Sequence, residues 1–197
     1  MSLFDEWRIA VHASWTPRLH AAKRRDGVES LVIGIARAAV AGGYWQPDPT
    51  APPAYILPVF DPWIPIGMPS PWFDEEPIDL VAWTPKTGFS RRTGEAWALN
   101  QDALDSTAIL GDTAHLWSSP AAMMAAGYGS VVLDWGQAGR HLMRWPKVVA
   151  DSLELGQQAR DAIARAHRRY IPPLPEIAIL SPSAIPGLTT AAPDAGT

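Results

Sequence analysis

The chain has 197 residues, enough for one ordinary domain with a small appendage, and 47% of them are apolar against 18% charged, which excludes wholesale disorder. Cysteine is absent, so disulfides, thiol nucleophiles and thiolate zinc sites are excluded together. A net charge of −4 disfavours nucleic acid as a partner, because a broad grip on a phosphate backbone needs the opposite sign, although a local basic patch remains allowed.

Charge and proline divide the chain. Residues 44–77 hold five acidic groups, no basic one and ten prolines, whereas the segments on either side hold both signs. Four parts follow: a helical segment at 1–43 that packs on the body, a Pro/Trp-rich strap at 44–77, an α/β core at 78–170, and a Pro-rich tail at 171–197 whose composition reads as disordered after 180. The expected fold class is α/β, a small mixed sheet flanked by helices, with the helical segment and the extended strap attached.

In the first part, Ser2 with Asp5, Thr16 before Pro17, and Asp26 with Glu29 have the spacing of helix starts and predict three helices. Phe4, Trp7, Val11 and Trp15 give the first an apolar stripe. The third, Val28 to Ala41, is apolar nearly all round and stops at Gly42-Gly43, which places it inside. The prolines of 44–77 exclude a continuous helix or a central strand, and Trp45, Tyr55, Ile56, Leu57, Val59, Phe60, Trp63, Ile64 and Trp72 are too many anchors for a free linker.

In the core, Ile78 to Trp83 alternates as a strand, with Gly94 to Leu99 as its antiparallel partner across the Gly88 to Arg92 turn region. Asn100 caps a short helix through Ala108. Ser119 as cap, Pro120 at the first helical position and Gly127 as stop bound a further helix, followed by the apolar strand Val131-Val132-Leu133. Lys147 to Ala150 reads as a neighbouring strand. It runs into a helix from Ser152 to about Arg169 that sets Leu155, Ala159, Ala162, Ile163 and Ala166 on one face, with Arg165, Arg168 and Arg169 at its negative end. Glu176 to Leu180 has the pattern of an edge strand.

Several chemistries are missing. No Gly-Lys pair exists for a Walker loop, Gly127-Tyr128-Gly129 precedes a strand where a dinucleotide fingerprint must follow one, and Ser130 enters a strand where a hydrolase elbow leaves one. The five histidines are dispersed, with no pair at the spacing of a zinc-binding helix, so no metal site and no cofactor is expected.

Asp134 is different, because it follows an apolar strand and so emerges at the carboxyl edge of a sheet, where ligands of α/β folds bind. Trp135, Arg140, His141 and Asp151 fall near the same edge if Lys147 to Ala150 runs parallel beside that strand. Asp134 and His141 are the candidate catalytic groups, without a complete set. Asp134 also resembles the metal-holding position of phosphotransfer folds such as the Toprim fold, whose pattern has a second Asp two residues on; Gly136 stands there. The local reading is that Asp134 caps the turn Trp135-Gly136-Gln137. Arg91 and Arg92, beside Phe89 and Trp97, are further ligand-binding candidates, able to clamp phosphates or to solvate a turn.

Ile78 to Trp83, Arg92-Thr93-Gly94-Glu95-Ala96, Gly111-Asp112, Ser119-Pro120 with Ala126-Gly127, and Val131 to Trp135 together make residues 75–168 similar to uncharacterised proteins of phages and bacterial prophages, often carried near replication genes. That resemblance implies a mobile-element accessory protein and transfers no catalytic residue. No apolar run approaches ~18 residues, and acid stands at Asp5 and Glu6 where a signal peptide needs base, so a cytoplasmic protein off the membrane is expected. Abundant Trp and Pro point to a preorganised surface for a protein partner. The alternative is nucleotide or nucleic-acid binding, or an enzyme, at the strand end that carries Asp134.

Overall fold

The computed structural model describes residues 1–30, 32–60, 76–86, 88–101, 104, 113–168 and 176–179. Two short helices open the chain, α1 (Leu3–Ala13) and α2 (Pro17–Arg25), capped by Ser2 and Thr16 with Pro17 at the first position. Strands β1 (Gly34–Ala41), β2 (Tyr44–Pro47), β3 (Pro53–Val59), β4 (Asp79–Thr84) and β5 (Gly88–Arg91) close into a barrel in the order β1-β2-β5-β4-β3. Then come β6 (Ala98–Leu99), β7 (Thr113–Leu116), α3 (Pro120–Ala126), β8 (Val131–Val132), α4 (Trp135–Leu142), β9 (Lys147–Ala150), α5 (Leu153–His167) and β10 (Glu176–Ile179). The class is α/β, with mixed sheets and helices beside them.

The expected third helix is a strand. Gly34, Ile35 and Ala38 of this strand are buried while Arg37, Val40 and Ala41 are exposed, and a strand that sets Ala38 inward and Ile35 outward reads as the same apolar run as a buried helix. Asp26 ends α2 instead of starting a helix, and Gly42 and Gly43, at φ 60° and 82°, make the two-residue hairpin from β1 to β2. Trp15 lies past the end of α1 and is exposed.

Over its described part, 44–60, the proline-rich stretch is extended and supplies β2 and β3. The exclusion of a central strand fails for β3, which pairs with β1 on one side and β4 on the other. Its prolines sit where they cost little: Pro53 opens the strand, and Pro58 lies past the last pair with β1. The partner of β4 across the turn is β5, not Gly94 to Leu99; of that segment, Ala98–Leu99 forms β6 and pairs with β8. The helix expected from Asn100 to Ala108 falls mostly outside the described residues, as do Trp63, Ile64, Trp72 and the tail after 179.

Side chains alternate across the barrel wall. Ala38, Trp45, Ala54, Ile56, Leu80 and Ala82 point inward and cluster with Trp7 and Ala10 of α1, which covers the end where β1 begins. There Trp7 Nε1 donates to the Val32 carbonyl at 2.7 Å, and α1 lies so close to β1 that a Cβ on Gly34 would stand 2.6 Å from Ala10. The outward set, Ile35, Tyr55, Leu57, Val59, Val81 and Trp83, packs with α3, Trp117 and Val131. One face of the second sheet therefore rests on the barrel. Its other face carries α4 and α5, packed through Ala138, Leu142, Ala159 and Ile163.

That sheet runs β10-β9-β7 in parallel, and the bridge from Leu116 to Ser130 adds β8 parallel to β7, with β6 antiparallel beyond it. Ser119, Pro120 and Gly127 bound α3 as their residue types predict, and Ser152 caps α5. Val131 and Val132 are buried strand residues.

Candidate functional site

Asp134 closes β8 and caps α4, so Trp135-Gly136-Gln137 is a first helical turn and not a free one. Its Oδ1 accepts from Gly136 N at 2.8 Å, and its Oδ2 from Arg91 Nη1 at 3.1 Å and Gln137 Nε2 at 3.4 Å. Partial burial pushes this carboxyl upward, but the Gly136 N–H and the Arg91 guanidinium together outweigh it and hold it below the usual aspartate value. Gly136, which stands where a second carboxylate was sought, is thus a donor to the first. Arg91 is further tied to the carbonyls of Gly94 and Ala96 at 3.2 and 3.1 Å.

Arg92 makes a forked pair with Glu6 of α1, at 2.9 and 3.1 Å, and lies over the Trp45 ring. Trp135 packs against the α4 and α5 core, His141 stacks on Trp97 with ring centres 4.3 Å apart, and Arg140 is exposed. The structure therefore unites Arg91 with Asp134 and places His141 on Trp97, whose carbonyl accepts from Leu133 N and Asp134 N. It does not unite them with Arg92 or Asp151. This constellation ties the barrel to the sheet. Among the described residues no group of three or more His, Asp or Glu side chains could hold a metal ion.

The edge of interest lies one strand over, because β9 pairs with β7 instead of β8. From β7 the chain crosses through α3 to β8 on one side, and from β9 through α5 to β10 on the other, so the strand order reverses between β7 and β9. In open α/β sheets ligands settle in that crevice. Asp151 stands there. Its Oδ2 accepts from Ser118 N and Oγ at 2.8 and 2.7 Å, while Oδ1 is buried without a hydrogen-bond partner.

A large concavity lies elsewhere, at the barrel end opposite α1. Strand β3 starts late there, so β1 and β4 run on past it and leave a groove of 990 Å³ between Ala38–Val40 and Ala82–Lys86. Ala38, Ala51, Ala54, Ala82 and Ser90 form its floor and walls, and Arg25, Asp26 and Lys86 its rim. Asp26 is already engaged by Arg25 at 2.9 Å and by the Tyr55 hydroxyl at 2.6 Å, and with burial that bond raises the Tyr55 phenol well above its ordinary value. The lining suits an apolar side chain more than a reacting bond. Sequence reasoning missed it, although small residues at alternate positions, Ala36 with Ala38 and later Ala54 and Ala82, carried the signal.

Comparison with protein-family models, with curated proteins and with solved structures finds no match. Among the described residues no helix is long and apolar enough to cross a membrane.

Proposed function

We propose that the chain is an accessory protein of a phage or prophage that acts by binding a protein partner through the open end of its barrel. The observation that carries this reading is the groove between β1 and β4, an apolar recess floored by small side chains and bordered by Val40, which is 54% exposed. Apolar recesses with a few polar rim groups are where partners and ligands anchor their buried side chains. The phage setting rests on the resemblance over residues 75–168.

Site-specific photo-crosslinking in phage-bearing host cells tests it. A crosslinker at Val40 should trap a partner that the same group at Leu153, exposed at the start of α5, does not. The trapped band should vanish when Ala82→Leu fills the groove. Equal trapping at Leu153, or a band indifferent to the filled groove, would move the interface elsewhere.

A second reading, nucleotide or nucleic-acid binding at the crevice between β7 and β9, is favoured by the orphaned Asp151 oxygen. Thermal shift with nucleotides and magnesium tests it, since a ligand of the native state raises its melting temperature. The shift should disappear in Asp151→Asn, and no shift with any nucleotide would remove this reading.

A further inference from the structure

Among the described residues, the groove is also an unfilled strand position. Ala38 N donates to the Pro52 carbonyl at 3.2 Å, toward the side of β1 that β3 occupies, and main-chain groups of a strand alternate in direction. Val40, two residues on, therefore turns its N–H and C=O the same way. Beyond Arg37 and Pro53 the ladder with β3 has ended, whereas Ala39 and Ala41 bond to β2 on the other side. Val40 thus presents a strand edge to the groove. The opposite wall offers no equivalent donor, because the residue of β4's continuation that faces it is Pro85.

Resting on the binding role proposed above, we infer that the partner enters as an extended peptide segment that adds to the free edge of β1, in the place β3 leaves, and sends one bulky apolar side chain into the mouth of the barrel. The backbone edge specifies an extended main chain, and the small side chains of Ala38, Ala54 and Ala82 specify the bulk of the group that fits between them. Lys86 at the rim, exposed and positive, favours an acidic residue on the outward side of that segment. A nucleic-acid strand has no alternating N–H and C=O groups to match this edge.

The test selects peptides from a displayed library of random decapeptides against the full chain, alongside a fluorescent single-stranded oligonucleotide as a competing probe. Selected peptides should share a bulky apolar residue, bind with slowed hydrogen exchange at the Val40 amide, and weaken about tenfold when the peptide amide opposite Val40 is N-methylated. Val40→Pro, which removes a donor outside the β2 ladder, should weaken binding similarly, and far-UV dichroism reports whether it has folded. Peptides that compete for the groove, lose affinity in Ala82→Leu and yet leave Val40 exchange and N-methylation without effect would overturn strand addition while sparing the binding role. Oligonucleotide binding without any selected peptide would overturn both.

Discussion

The most constrained side chain in the described structure is Asp79. It is fully buried, and its carboxylate accepts from the main-chain N–H groups of Leu80, Arg92, Thr93, Gly94 and Ala96, so that one residue at the start of β4 holds the whole 92–96 loop. In Asp79→Asn an amide NH₂ would face some of those donors. A loss of about 2–4 kcal/mol is expected, read as a melting point lower by roughly 5–15 °C. Asp134 behaves differently because it is only partly buried and its bonds act through titration. Its folded-state value lies below the unfolded one, so the stability it contributes is complete above the ordinary aspartate value and is lost as pH falls through the lowered one. The melting temperature of the native chain should therefore drop more steeply on acidification from pH ~5 to ~3 than that of Asp134→Asn. Parallel curves would mean the Arg91 and Gly136 bonds do not persist in solution.

Between elements, α4 lies tightly against α5 at Gly139. A Cβ on Gly139 would stand 2.3 Å from the Ala162 carbonyl oxygen, which is backbone and has no rotamer to yield. Gly139→Ala should thus separate the helices and cost about 1–3 kcal/mol by chemical denaturation; an unchanged midpoint would show that α5 can move freely. Element boundaries were legible at several helices capped by their own side chain, though not at Asp134, whose helix α4 was read only as a turn. Ser119-Pro120 with Gly127, Thr16-Pro17 and Ser152 each name a helix end in the sequence because the bond is local. Residues 34–41 were illegible for the opposite reason. Whether an apolar run is helix or strand there depends on β2 and β3, and those pairings carry no mark in the segment itself.

At the scale of the molecule, the barrel and the parallel sheet share a core, since the outer face of β3 and β4 packs against α3, Trp117 and Val131. That sharing explains why the sequence could place Asp134 at a sheet edge and read it as a cap, and yet could not show its second partner. Its neighbour is Arg91 from the barrel, 43 residues earlier, and nothing in the local spacing shows that the edge is covered. The groove was hidden likewise, because it exists only where β3 starts later than the strands beside it. If the protein meets its partner at this open end, filling the mouth must weaken binding. Titration calorimetry of one selected peptide against the native chain and against Ala82→Leu, with melting temperatures taken for both, tests it most directly. At least about a tenfold loss of affinity is expected in a variant that melts lower but stays folded at the temperature of the titration. Undiminished affinity in a folded variant with the mouth filled would contradict it.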